Sequence, residues 1–173
     1  MGFAISFIIP AYNEEANIGR CLESVLKEIE ANSCDAEIIV VNNASTDKTK
    51  EVALSFPRVQ VVDELRKGIV FARQAGFLVS KGDLIANIDA DNILPKGWMK
   101  KVLTEFSNNP KLAALSGPCV FYDLPRWIKV QTRIFYGLGY LVYLFSELFF
   151  KKGAMLQGGN FIVSNMPIGL TKN

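Results

Sequence analysis

The sequence predicts an α/β fold, a mostly parallel sheet flanked by helices. Short apolar runs of strand length alternate with stretches of helical periodicity, the pattern of successive β-α units. A length of 173 residues with 50% hydrophobic and 21% charged side chains is enough for one domain with a buried core. No internal repeat or low-complexity linker interrupts the alternation.

The elements follow in order. A first strand covers 4–9 and is stopped by Pro10. Asn13 has the residue type of a helix N-cap, with Glu14 and Glu15 in the first turn, where they favour the helix dipole. Ile18, Leu22, Val25, Leu26 and Ile29 then recur at helical spacing. A second strand covers 38–41, and the polar run 42–47 leads into a short helix near 50–56. A third strand at 59–62 precedes a helix over 69–79, opened by Gly68. The fourth strand, 84–88, ends on Asp89-Ala90-Asp91-Asn92. A helix from about 95 to 106 and a strand near 112–115 complete this part.

Composition excludes much chemistry. With no histidine there is no Ser-His or Cys-His nucleophile pair, no His-bound zinc and no imidazole proton shuttle. A net charge of +2 gives no basic stripe for nucleic acid. Cys21, Cys34 and Cys119 form no CxxC pair and read as reduced small hydrophobes, as in a cytoplasmic protein. No positive region precedes the apolar run at 3–9, so a signal peptide is not expected. Met1-Gly2 with Ser6 formally fits a myristoylation pattern, but a buried first strand claims the same residues.

Beyond Pro125 the character changes. The stretch 134–150 reads IFYGLGYLVYLFSELFF and closes on Lys151-Lys152. As a helix it is about 26 Å long, short of a hydrocarbon core of about 30 Å, and it contains Glu147. Its tyrosines, with Trp127, Lys129 and Arg133, are residue types of a headgroup boundary. Two readings stand side by side: an interfacial helix at a membrane surface, and a core or dimer helix.

In a parallel α/β sheet, ligands bind beyond the carboxyl ends of the strands. Ala11-Tyr12-Asn13-Glu14, Asn42-Asn43, Asp63-Glu64 and Asp89-Ala90-Asp91 all collect there. Two aspartates one residue apart can converge on Mg²⁺ or Mn²⁺ when the chain turns sharply between them. By themselves such aspartates more often shape turns or cap helices.

The segments IIPAYNEEANIGRCLESV, EIIVVNNASTDKTKEVA and RKGIVFARQAGFLVSKGDLIANIDADN resemble the N-terminal half of a family 2 glycosyltransferase of the GT-A, Rossmann-like fold. The similarity runs from about residue 6 to 94, with a later echo at Gly158-Gly159-Asn160-Phe161. The resemblance implies a nucleotide-sugar-binding core over 1–124, the aromatic-rich helical segment over 125–153 and the start of an acceptor-side region over 154–173. Pro10, Ala11, Tyr12 and Glu14 would line the base and ribose of a nucleoside-diphosphate sugar. Asn42 and Asn43 replace the family's usual acidic pair, whose second member accepts a hydrogen bond from uracil, so the identity of the base stays open. Lys67, Gly68 and Arg73 would lie near the base and diphosphate. Asp89 would contact ribose or metal, Asp91 would ligate the divalent cation, and Gly159 and Asn160 would border the sugar and acceptor pocket. Each position has a structural alternative: a dipole partner for Glu14, an Asx turn for the asparagines, surface charges for Lys67 and Arg73, and a plain turn for the glycines.

The implied reaction is an inverting sugar transfer to an acceptor hydroxyl, on a glycan or a lipid-linked acceptor at the cytoplasmic face of a membrane. The family's catalytic base lies downstream of the Gly-Gly-Asn segment, so it is expected beyond Asn173 in a chain truncated before it. A nucleotide-sugar-binding fragment without turnover is the competing reading. A dehydrogenase would need Gly-x-Gly-x-x-Gly after the first strand and a phosphate-loop enzyme Gly-Lys-Ser/Thr; Pro-Ala-Tyr-Asn-Glu stands there instead.

Overall fold

The computed structural model describes residues 4–116, 125–150 and 161–165. Along the chain the elements are β1 (Ile5–Ala11), α1 (Ile18–Asn32), β2 (Ala36–Asn42), α2 (Thr49–Leu54), β3 (Val59–Asp63), α3 (Ile69–Val79), β4 (Leu84–Ile88), α4 (Trp98–Asn108), β5 (Ala114–Ser116), α5 (Arg126–Phe150) and β6 (Phe161–Asn165). They build one sheet of order β3-β2-β1-β4-β6-β5. The pairs β1–β2, β1–β4 and β2–β3 are parallel, and β6 lies antiparallel to β4.

The two-residue period of the strands divides the core. Ile5, Phe7 and Ile9 of β1, with Ile38 and Val40 of β2, face one way and pack with Leu22, Val25 and Ile29 of α1 and Met99 and Val102 of α4. Ile8, Ile39, Val41 and Ile85 face the other way and meet Ala72 of α3. Both sheet faces are therefore covered, as parallel strands require. Gly76 allows α3 its close approach: a Cβ there would stand 2.4 Å from the Ile8 Cγ2. The register aligns Ala11 with Asn42 and Asn42 with Asp63, so the carboxyl ends of β1, β2 and β3 finish level.

Three expectations need correction. Asn13 is not an N-cap; it holds φ 57°, and α1 starts at Ile18 behind Asn17. No acidic residue occupies the first turn of α1, so Glu14 and Glu15 do not serve its dipole. Helix α4 opens at Trp98, because Gly97 adopts φ 83° and Trp98 N–H closes a turn onto the Pro95 carbonyl at 3.1 Å. The pairing partner β6 was missed in the sequence.

Residues 4–115 and 161–165 belong to one compact unit and α5 to a second. Helix α5 starts at Arg126, well before the expected 134, which makes it about 37 Å long. Trp127, Val130, Ile134, Leu138, Leu141 and Phe145 recur along it at helical spacing and are all exposed, Trp127 at 63%. Among the described residues no helix is long and apolar enough to cross a membrane.

Candidate nucleotide and metal site

The loops beyond β1 and β2 are tied to each other by side chains. Asn13 tolerates its left-handed φ, and its Oδ1 accepts from Thr46 N–H at 2.8 Å while its own N–H donates to Ser45 Oγ at 3.2 Å. The N–H of Glu14 donates to Thr49 Oγ1 at 2.8 Å, and that of Glu15 to Asp47 Oδ2 at 3.1 Å. Lys48 N–H returns to Glu15 Oε2 at 2.9 Å. Asp47 accepts from several of these groups, and the bonds hold its carboxyl below the usual range against a desolvation that pushes it up.

Asn43, only 4% exposed, organises the loop between β3 and α3. Its amide Nδ2 donates to the carbonyls of Glu64 at 3.1 Å and Arg66 at 2.7 Å, and its Oδ1 accepts from Gly68 N–H at 2.8 Å. Glu64 adds an internal brace: its carboxylate accepts from Arg66 N–H, Nε and Nη2, which holds it down at about 2. Asn42 points elsewhere. Its Nδ2 donates to Asp63 Oδ1 at 2.8 Å, and Lys50 Nζ bonds the other oxygen of Asp63 at 2.5 Å, so Asp63 is also held below the ordinary carboxylate range.

A cavity of about 450 Å³ opens where these loops meet the end of β4. Pro10, Ala11, Tyr12 and Glu14 line it from one side, Asn43 and Lys67 from another, and Asp89 and Asp91 from a third. Lys67 Nζ donates to Tyr12 Oη at 3.1 Å and stands 4.9 Å from the Tyr12 ring centre, joining two walls. Gly68, Ile69, Ala72 and Ala90 also line the cavity. Ile69, Ala72 and Ala90 were missed as site residues, since the apolar positions opening α3 look like ordinary core and Ala90 like a spacer between two aspartates; the i, i+4 spacing of Gly68 and Ala72 beside the loop was the available signal. Asn42 and Arg73 do not line the cavity. Gly159 and Asn160 lie outside the described residues.

The turn between the aspartates is sharp, with Asn92 N–H donating to the Asp89 carbonyl at 3.0 Å. Arg73 Nη2 donates to Asp89 Oδ1 at 3.1 Å. Burial raises the Asp89 carboxyl, Arg73 counteracts this, and the charge of Asp91 adds to the rise. Asp91 is exposed, and among the described residues its carboxylate has no hydrogen-bond or ion-pair partner. Beneath the turn, the Cys21 thiol donates to the Asp89 carbonyl at 3.7 Å. Burial first, then the charges of Asp91, Asp89 and Glu14, push that thiol up to about 12, so it is no nucleophile.

The donor set suits a lightly held hard cation. Asp89 and Asp91 offer carboxylate oxygens, and among the described residues no group of three acidic or thiol ligands forms a closed cage. Mg²⁺ and Mn²⁺ bound by one or two carboxylates leave positions for phosphate oxygens and water.

Residues 6–165 match the family model described as Glycosyl transferase family 2. A relative, the dolichyl-phosphate beta-glucosyltransferase ALG5A of Trichomonas vaginalis, is 36% identical over 97 residues, covering 50% of this chain and 30% of that protein. Glucosyl-3-phosphoglycerate synthase of Mycobacterium tuberculosis, solved with UDP, superposes with a TM-score of 0.59 at 26% identity, over 94% of this chain and 57% of that one. The mannosyltransferase PcManGT of Pyrobaculum calidifontis, solved with GDP-Man and Mn²⁺, gives 0.57 at 24% identity over 67% and 35%. The chain spans about a third or less of the length of the curated relatives it first matches.

Proposed function

Because the chain belongs to glycosyl transferase family 2, we propose that the cavity at the ends of β1, β2 and β4 binds a nucleoside-diphosphate sugar for transfer to an acceptor hydroxyl. The observation that carries this is the convergence on one cavity of loops from successive parallel strands, with the Asp91 carboxylate, unpartnered among the described residues, lining it. Tyr12 offers a ring face to the base, and Pro10, Ala11 and Glu14 border the base and ribose. Lys67 would bring positive charge to the diphosphate side, and Arg73, outside the cavity lining, would act by holding Asp89 in place. Asp91, with Asp89, would hold Mg²⁺ or Mn²⁺, which offsets the charge that builds on the leaving diphosphate. The acceptor oxygen forms its bond to the anomeric carbon as the bond to diphosphate breaks, with inversion, and a carboxylate takes the acceptor's proton.

One observation favours a binding role without turnover. Among the described residues the cavity has three carboxylates: Glu14 accepts from Asn17 Nδ2 at 2.9 Å, Asp89 pairs with Arg73, and Asp91 is assigned to the cation. Among the described residues the cavity offers no further carboxylate to take the acceptor's proton, and Gly159 and Asn160 remain proposed neighbours of the sugar.

The apolar stripe of α5 supports a lipid-linked acceptor, with the helix lying in the interface at the cytoplasmic face of a membrane. Vesicle flotation tests this: loss of partitioning on replacing Trp127, Ile134 and Leu138 by serine supports it, and unchanged partitioning sinks it. For the donor site, UDP, GDP and dTDP are titrated calorimetrically with and without Mn²⁺, on the wild type and Asp91→Ala. Mn²⁺-dependent binding of one nucleotide that disappears in the variant is expected. Absence of binding by all three would overturn the proposal.

A further inference from the structure

One face of α1 reaches the segment that follows the paired aspartates at successive points. Cys21, Ser24 and Glu28 recur at the i, i+3, i+7 positions of the helix and share that face. Cys21 Sγ reaches the Asp89 carbonyl. Ser24 Oγ donates to the Cys21 carbonyl at 2.7 Å and accepts from Leu94 N–H at 2.9 Å. Glu28 Oε1 accepts from Gly97 N–H at 2.8 Å and its Oε2 from Met99 N–H at 2.9 Å. Asp91 therefore sits on a short span of chain fastened to α1 on both sides, at Asp89 before it and at Leu94 after it.

Glu28 is an expensive way to make such a joint. It is 3% exposed, and among the described residues no cation neutralises it. Its charge is supported by the two N–H groups and the positive end of α4, whose own N-cap, Gly97, offers no side chain. A local serine or aspartate at the cap would satisfy those N–H groups without burying a carboxylate between helices. What Glu28 adds is location: it fixes the start of α4 against α1 through two separate oxygen atoms.

We infer that Ser24 and Glu28 are positioning residues for Asp91, holding the turn after β4 so that its carboxylate meets the cation together with Asp89. The inference rests on the cation role proposed for Asp91. Partners that orient a metal ligand without touching the metal change metal affinity by about 10- to 100-fold when removed. A role confined to stability would leave that affinity alone.

The test is calorimetric titration of Mn²⁺ in the presence of UDP, GDP and dTDP in turn, on the wild type, Ser24→Ala, Glu28→Gln and Asp91→Ala. Thermal unfolding and nucleotide titrations at saturating Mn²⁺ run alongside. Expected is a roughly three- to tenfold weaker Mn²⁺ affinity in Ser24→Ala and Glu28→Gln, the low end because both act through the backbone around Asp91 and not on its carboxylate, with nucleotide affinity at saturating Mn²⁺ within about twofold of wild type. Should Glu28→Gln not fold, Ser24→Ala decides alone, because it removes one hydroxyl and leaves α1 intact. Lower melting temperatures with Mn²⁺ affinity unchanged in these two variants would overturn the positioning role while Asp91→Ala still abolished the metal effect. An Asp91→Ala that kept the metal effect would instead overturn the cation site on which the inference stands.

Discussion

Asn43 Oδ1 accepts the N–H of Gly68, 25 residues later in the chain, at 2.8 Å. The same amide donates from Nδ2 to two carbonyls, Glu64 and Arg66, so one buried side chain sets the path of the whole β3–α3 loop. That loop delivers Lys67 to the cavity and starts α3, which carries Arg73 to Asp89.

An aspartate in place of Asn43 can accept from Gly68 but cannot donate. Asn43→Asp would leave both carbonyls without their donor and bring a buried negative charge against them, a cost of about 2–4 kcal/mol. For a chain of this size that lowers the melting temperature by roughly 5–15 °C. Thermal unfolding checks the first effect, and nucleotide titration should show weaker binding as the Lys67 segment loosens. An Asn43→Asp variant as stable as wild type would show that the loop does not depend on the amide.

Ala44 follows Asn43 with φ 55°, a left-handed conformation that an alanine side chain resists. The strain is about 1–2 kcal/mol, and glycine removes it. Glycine also gains freedom in the unfolded chain, which gives back about 0.4–1 kcal/mol. The relief is larger, so Ala44→Gly should raise the melting temperature by a few degrees. Differential scanning calorimetry reads the sign, and a lower melting temperature would place the strain elsewhere.

What was legible in the sequence follows from how local each signal is. Helix α3 and strand β4 have their expected limits, because Gly68 and Ser80 bracket the helix and Gly82-Asp83 and Asp89 bracket the strand. The polar rim of the cavity was equally legible, since parallel strands place the residues that follow them at one edge. Asn13 was not, because its φ and its bond to Thr46 depend on a neighbouring loop 33 residues away. Strand β6 pairs with β4 across a separation that no local pattern reports. The acidic-pair positions look alike in the sequence, yet Asn43 turns to the cavity and Asn42 to Asp63, a difference that only the level ends of β2 and β3 create.

The contact between α3 and the sheet gives a stability prediction with two opposing terms. Alanine at Gly76 would improve the helix by about 1 kcal/mol. Its Cβ, however, would meet Ile8 Cγ2 at 2.4 Å and Val41 Cγ2 at 3.1 Å, both on buried β-branched side chains with little room to rotate. Overpacking of this kind costs about 1–3 kcal/mol, and at such a distance the upper end applies. Gly76→Ala should therefore be destabilised by about 1–2 kcal/mol in urea unfolding, net of the helix gain. A stabilised variant would mean that α3 can shift outward without loss.

Acid should loosen the β3–α3 loop before it unfolds the sheet. The Arg66 guanidinium and N–H hold Glu64 at about 2, below its ordinary value of 4.5, and Asn42 and Lys50 hold Asp63 below the usual range. A carboxyl whose folded pKa is depressed contributes stability that is complete above the unfolded value and disappears as pH falls through the folded one. The contribution of Glu64 is thus present in full above about pH 4.5 and lost between there and about pH 2. Glu64→Gln removes the titration, so the melting temperatures of wild type and variant should converge over that window. Hydrogen-exchange protection at Arg66 and Gly68, taken relative to the intrinsic exchange rate at each pH, should fall in the wild type over the same range, because their N–H groups are the ones Glu64 and Asn43 hold. A difference between the two proteins that stayed constant down to pH 2 would mean that the Glu64–Arg66 contact contributes through packing and not through its charge.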